Sequence, residues 1–279
     1  MKTIGFIDYY LDEWHANQYP AWIANATGGA MRVAYAYGKK DADGGKTNVE
    51  WAAEKGVELL DSIEAVVEKS DYLIVLSPDH PDQHEELAEL PLRSGKRTYI
   101  DKTFAPDRAA ALRLFELADK HGTPLFSSSA LRFASEYAAA EKQGIDSIYS
   151  SGPGRLDNYS IHQIEPIVML MGAGADRVMY TGTGKFPALL IGYPDGRQAS
   201  VQHGGWECPF HLTLNYDNGH SAVLKPESDF FQLFIRQLTA FFETGEVPVN
   251  PSETVEIISI IEQSLKAVHT PHQWVKLPS

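Results

Sequence analysis

The strongest constraint on the fold is an alternation across the first half of the chain. Apolar runs at residues 3–7, 32–37, 72–76, 97–100 and 124–127 are separated by helical segments, one led by Trp14-His15-Ala16 and others at 49–55, 65–69, 81–90 and 106–121. Strands joined through helices cannot pair as hairpins, so they build a parallel sheet with helices on both faces. The punctuation agrees, because Pro81 sits at an early helical position and Gly122 closes the amphipathic helix before it.

Past Leu131 the pattern changes. A helix at 135–142, a Gly- and Ser-rich loop at 150–154 and a helix at 159–171 precede strand candidates at 178–183, 188–193, 198–204 and 211–216. Pro194-Asp195-Gly196 and Asp217-Asn218-Gly219 read as hairpin turns, which makes this sheet mainly antiparallel. Helices at 230–244 and 254–267 follow, split by the loop 245–251. The expected class is therefore α/β. A Rossmann-like doubly wound parallel sheet spans 1–125, and an α+β domain for substrate and oligomer contacts, with a mainly antiparallel sheet and terminal helices, spans 126–279.

A chain of 279 residues with 43% apolar content can bury two cores of this kind. Its formal net charge of -13 argues against nucleic acid and anionic membranes, which are bound through clustered Lys and Arg; it suits a neutral or modestly charged small molecule, and above all an acidic surface that simply keeps the protein soluble. The single cysteine, Cys208, excludes an internal disulfide and fits a reducing compartment. No signal-peptide core follows Met1, and no apolar stretch approaches the roughly 20 residues of a membrane span, so a cytoplasmic location is expected.

The turn after the first strand is the place for GxGxxG if a dinucleotide is held, because each glycine removes a side chain from the path of the pyrophosphate or the packed helix. Here those positions are Asp8, Tyr10 and Glu13. Two acids and a bulky ring stand where bare N–H groups are wanted. The surrounding stretch, from Asp8 and Tyr9 to His15, is rich in groups that hydrogen-bond to or stack on a sugar, and equally able to fill a vacated cofactor space. The second strand ends in Lys39-Lys40 in place of an acid, which favours a 2′-phosphate or is simply a solvated basic turn.

Strand 97–100 runs into Asp101-Lys102-Thr103, so Lys102 lies at the carboxyl end of a parallel strand, where open α/β sheets bind ligands. A desolvated lysine there can exchange a proton with a substrate oxygen or polarise it; the bland alternative is a solvated residue opening a loop. At these residues the chain resembles the Gfo/Idh/MocA oxidoreductases, whose members carry Glu-Lys-Pro at this strand end. Ser77-Pro78-Asp79-His80 is similar to the family's Thr-Pro-Asn-His loop, Leu131-Arg132-Phe133 to its Arg-Phe element, and Asn158 to Glu165, containing Tyr159 and His162, to its DxxxH helix.

The resemblance implies hydride transfer between NAD or NADP and a sugar- or polyol-like carbon, with Lys102 and His162 handling the hydroxyl proton, aided by Asn158 and Glu165. It implies a cofactor site drawn from Asp8, Tyr9, Tyr10, Ser77, Pro78, Asp79, His80 and Asp101, seated in an altered way, and substrate contacts from Arg132 and Tyr159. Asn158 departs from the family's aspartate, since an amide can orient an imidazole but not charge-stabilise it. Asp157, about 100° away on a helix, does not replace it. Glu165 shares a helix face with His162 and could pair with it. A cofactor-free sugar-binding or regulatory protein, and a non-redox lyase or hydrolase, stay open as alternatives.

No metal is expected. The histidines of His80-Pro81-Asp82-Gln83-His84 face apart across a helix start, and Cys208 with His211 lacks a four-ligand spacing. Whether His15, His162 and His203 meet is left open. An open antiparallel face favours a homodimer or homotetramer.

Overall fold

The computed structural model describes residues 1–278, and its contacts divide the chain into two units. The first unit comprises Met1–Ser128 together with Gln232–Asn250; the second comprises Ser129–Phe231 and the segment from Pro251 onward.

In the first unit the elements run β1 (Lys2–Asp8), α1 (Trp14–Ala26), β2 (Met31–Gly38), α2 (Asn48–Lys55), β3 (Glu58–Leu59), α3 (Ile63–Lys69) and β4 (Tyr72–Val75). They continue through α4 (His84–Arg93), β5 (Thr98–Ile100), α5 (Arg108–His121) and β6 (Leu125–Phe126). The six strands are all parallel in the order β3-β2-β1-β4-β5-β6. The direction of winding reverses between β1 and β4, so the crevice where such sheets bind ligands opens at the carboxyl ends of these strands. Local chemistry sets the helix limits: Thr47 and Glu50 form a capping box on α2, Ser62 and Asp107 cap α3 and α5, and Gly122 ends α5 at φ 63.

The second unit contains α6 (Ser135–Ala138), β7 (Ile145–Gly152), α7 (Leu156–Met171), β8 (Arg177–Tyr180), β9 (Ala188–Gly192), β10 (Gln198–His203), β11 (His211–Tyr216) and β12 (Ser221–Leu224). Then α8 (Phe230–Thr244) carries the chain back to the first unit, and α9 (Pro251–Ala267) and β13 (Trp274–Lys276) complete the second. The sheet order is β12-β11-β7-β10-β9-β8-β13, antiparallel except for the β7 and β10 pair. One face packs Val201, Leu189 and Leu212 against Ile161, Ile164 and Val168 of α7 and Ile257 and Ile260 of α9. The other face is open: Val223, Thr213, Tyr149, Ser200, Leu190, Met179 and Trp274 form one cross-strand row, with Val223 60% and Tyr149 41% exposed.

In the first unit, α8 supplies Phe234, whose ring lies 5.8 Å from Tyr19 and 5.4 Å from Tyr99, and Phe242, stacked on Tyr72 at 4.9 Å. Such aromatic pairs add to simple area burial.

The α/β class with a parallel first sheet and a mainly antiparallel second sheet holds. Several local expectations are corrected. The Gly- and Ser-rich stretch at 150–154 is largely strand, because β7 is a central strand whose Ser150 and Ser151 are buried. Ser150 Oγ donates to Gln163 Oε1 at 2.8 Å, so a small hydroxyl suits the close approach of α7. Residues Pro81–Gln83 tighten into a 3₁₀ turn before α4 begins, α6 stops at Ala138, and α7 starts three residues earlier than the sequence pattern gave. β3, β12 and β13, each four residues or fewer, carry too little periodicity to read from sequence.

Candidate functional site

The β1–α1 turn is filled by its own side chains. Glu13 is the N-cap of α1, and its carboxylate accepts the backbone N–H of His15 at 2.7 Å and that of Ala16. These are the orphan donors of a helix start, the groups a phosphate would use. Glu13 Oε2 also lies 3.1 Å from His15 Nδ1, and the Glu13 side chain is only 7% exposed. Asp8, at the end of β1, is buried; its Oδ1 accepts the Tyr9 N–H at 2.7 Å, while its Oδ2 has no hydrogen-bond partner. Burial first, and then the Glu13 charge, push the Asp8 carboxyl well above its ordinary range.

The rest of the turn is braced. Leu11 N–H donates to Asn48 Oδ1 at 3.0 Å, and Asn48 Nδ2 donates to the Lys40 carbonyl at 2.8 Å. Asp12 accepts Asn17 Nδ2 at 2.9 Å and the Lys46 N–H at 2.8 Å, bonds that hold its carboxyl below the usual range. Tyr9, Tyr10 and His80 form a ring cluster with centroids 5.0 to 5.8 Å apart. Ser77, at φ 84, and Pro78 are buried in the turn that carries His80, whereas Asp79 is exposed. Lys39 pairs with Glu86 at 2.7 Å and Lys40 with Asp43 at 3.0 Å. The turn does not fit a dinucleotide in the ordinary manner: its helix N-terminus is taken and its lining is acidic.

At the end of β5, Asp101 is buried between Tyr99, whose hydroxyl donates to Oδ1 at 2.8 Å, and His15, whose Nδ1 is 3.7 Å from Oδ2. Burial works to lower the His15 pKa, but the Asp101 charge and the Glu13 hydrogen bond outweigh it and leave it raised. Lys102 is 8% exposed, and its ammonium makes neither a hydrogen bond nor an ion pair with any described residue. A buried ammonium without a counter-ion is costly unless something else engages it. The following loop is pinned by buried His84, whose ring nitrogens lie 2.7 Å from the Leu76 carbonyl and 2.9 Å from that of Phe104. Both nitrogens are therefore used structurally. Among the described residues no group of three or more His, Cys, Asp or Glu side chains is placed to hold a metal ion.

In the second unit, His162 on α7 has Nδ1 2.7 Å from Ser129 Oγ. That Oγ also accepts the Leu131 N–H at 3.2 Å, so it ties the imidazole to the backbone of the 129–131 segment. The Ser129 N–H donates to Glu165 Oε2 at 2.6 Å. His162 and Glu165, one helical turn apart, thus grip the same serine at two atoms. Glu165 is buried 3.8 Å from Arg132 Nη1, and Arg132 Nη2 meets Glu253 at 2.6 Å. This places the Arg132 guanidinium between two carboxylates.

Aromatic rings surround the imidazole: Tyr159 at 5.1 Å and Phe210 at 5.8 Å, with the exposed Trp206 set edge-on to Tyr159 at 4.9 Å. Asn158 is half-buried one turn before His162, and Asp157 pairs with Arg155 on the exposed side. His203 is held by Ser160 Oγ at 3.0 Å and the Gly154 carbonyl at 3.1 Å, and burial lowers its pKa. Sequence reasoning passed over Ser129, Phe210 and Trp206, since what marks them is a long-range contact with α7 and no local motif.

Residues 18–129 match an oxidoreductase family described by its NAD-binding Rossmann fold, the Gfo/Idh/MocA family. The uncharacterized oxidoreductase YhhX of Escherichia coli K12 is 30% identical over 86 residues, 31% of this chain and 25% of that protein. The matched segment spans only a quarter of that relative's length. The solved scyllo-inositol dehydrogenase of Lactobacillus casei, with bound NAD(H) and scyllo-inositol, aligns at TM-score 0.81 and 16% identity over 100% of both chains. A probable dehydrogenase from Thermotoga maritima aligns at TM-score 0.80 and 12% identity over 98% of each. At such identities the structural likeness establishes the fold. The family match begins at residue 18, just beyond the turn that departs from the dinucleotide pattern. Residues 18–129 thus resemble the NAD-binding part of the Gfo/Idh/MocA oxidoreductases, and along its whole length the chain has the two-part fold of the dehydrogenases it is similar to.

Proposed function

We propose that this protein acts on a sugar- or polyol-like hydroxyl, with Lys102 at the end of β5 as a group that handles its proton. The observation that carries this reading is the buried, unpaired Lys102 ammonium at the strand end where the resemblance places a lysine. Its charge would draw in and polarise a substrate oxygen, and the resemblance gives His162, held through Nδ1 by Ser129, a proton-exchanging role at Nε2. Relatives of this fold named for inositol oxidation support a polyol as the substrate class. NAD or NADP would supply the hydride acceptor, which is the chemistry of the family.

The Glu13 cap favours a second reading on the same residues: acid and base chemistry, or sugar binding, without a dinucleotide. The two separate in one experiment, in which a panel of inositols, aldoses and polyols is incubated with NAD⁺, with NADP⁺ and with neither. Absorbance at the reduced-nicotinamide band and product mass are followed together. Product with an absorbance change supports the redox reading, and product without it the other. Lys102→Ala should lower turnover about 10²- to 10⁴-fold; unchanged turnover would sink both.

The open face of the second sheet, with Tyr149 and Val223 exposed, supports a homo-oligomer. Light scattering on the purified protein is expected to give a dimer or tetramer mass, and a monomer mass would overturn this.

A further inference from the structure

We infer that Glu13 is a built-in phosphate surrogate, a carboxylate of the chain itself that keeps the N-terminus of α1 filled and excludes a dinucleotide pyrophosphate from its ordinary seat. The inference concerns anion binding by the first unit and does not depend on which substrate the protein takes. Several observations converge on it. The Glu13 carboxylate spans two consecutive helix-start N–H groups, one oxygen on His15 and the other on Ala16, which is how a phosphate sits on such a terminus. Being tethered one residue before the helix, it faces no loss of translational freedom on binding, whereas a free ligand does. Displacing it would strand a 93% buried carboxylate, since its side chain is 7% exposed, beside buried Asp8 and Asp101.

The surroundings add charge and stiffness. Asp8 faces the charges of Glu13 and Asp101, and Glu13 and Asp101 in turn face His15, so a pyrophosphate would enter a lining that already holds three carboxyl groups. The Asn48 and Asp12 hydrogen bonds hold the turn to the end of β2 and to residue 46, so it cannot swing aside without breaking them. Tyr10, at a position where the fingerprint has glycine, is locked in the ring cluster with Tyr9 and His80.

The test is calorimetric titration of the full chain with inorganic pyrophosphate and with NADH, in the absence of any sugar, for the wild type, Glu13→Gly and Glu13→Gln. Glycine is itself a tolerated N-cap, so the first variant should keep α1. The expected result is no wild-type binding of pyrophosphate at millimolar ligand, at least tenfold tighter binding of both ligands by Glu13→Gly, and a smaller gain for Glu13→Gln, which keeps the shape without the charge. Micromolar NADH binding by the wild type that Glu13→Gly leaves unchanged or weakens would overturn the inference. So would a Glu13→Gly protein, folded by far-ultraviolet circular dichroism, that binds neither ligand better than the wild type. Should Glu13→Gly fail to fold, Glu13→Gln decides in the same way. Because the readout is anion binding, its failure is distinct from a failure of Lys102→Ala to slow substrate turnover.

Discussion

The β1–α1 turn of the first unit reads Asp8-Tyr9-Tyr10-Leu11-Asp12-Glu13, and the β7–α7 turn of the second reads Gly152-Pro153-Gly154-Arg155. The β1–α1 turn has no glycine and closes its helix with a carboxylate; the β7–α7 turn is nearly all glycine and proline, and its N-cap, Arg155, makes no side-chain cap bond. Composition alone would make the β7–α7 turn the better phosphate seat. Yet its glycines answer to internal packing. A Cβ on Gly152 would come within 2.5 Å of Phe210, and one on Gly154, at φ +86, within 2.5 Å of Tyr159. Bare backbone in one turn makes room for the rings around His162, while side chains in the other take the place of a ligand. Glycine at a strand-to-helix turn therefore records what approaches the backbone, and that visitor can be the protein itself.

The contrast can be broken from either side. The largest expected effect is at Gly154→Val, which demands both a left-handed backbone from a β-branched residue and the displacement of Tyr159. A destabilisation of about 2–5 kcal/mol is expected in chemical denaturation, with lower His162-dependent turnover. A loss below about 0.5 kcal/mol would mean that Tyr159 moves freely and that the glycine is not needed for packing.

A smaller effect, of opposite sign, is expected at Asp8→Asn. The folded-state pKa of Asp8 is raised, so the folded protein binds a proton that the unfolded chain gives up once pH exceeds the ordinary value of 3.8. Wild-type stability therefore declines as pH rises from that value toward the folded pKa, then levels off. Asparagine removes this dependence. The variant should match the wild type near pH 3.5 and exceed it at pH 7, by about 1.4 kcal/mol for each pH unit that separates the folded and unfolded values. Equal pH dependence of the two melting curves would show that Asp8 is not the neutral acid described above, and would blunt the contrast between the turns.

Much of the site was legible because it rests on local chemistry. Lys102 follows a strand by pattern alone, and Glu13 and Asp8 could be recognised as wrong for a pyrophosphate from their size and charge. The way Glu13 replaces the ligand was not legible, because it depends on the cap geometry that aims the carboxylate at His15 and Ala16. Arg132 was read as a substrate contact from the resemblance of Leu131-Arg132-Phe133 to the family's Arg-Phe element. Its engagement with Glu165 and with Glu253, 121 residues away, is a tertiary fact. Ser129 was missed for the same reason, as its role comes from α7 reaching it across the second unit.

The amino-acid sequence by itself determined the alternation that makes the first sheet parallel, the hairpin turns that make the second mainly antiparallel, and the loss of the glycine fingerprint. These follow from periodicity and turn chemistry, which act over a few residues. Tertiary structure alone decided that α8 returns residues 232–250 to the first unit, that β7 buries its serines under α7, and that Lys102 is desolvated without a counter-ion. Burial and charge pairing depend on which distant segments meet, and local sequence carries no record of that meeting.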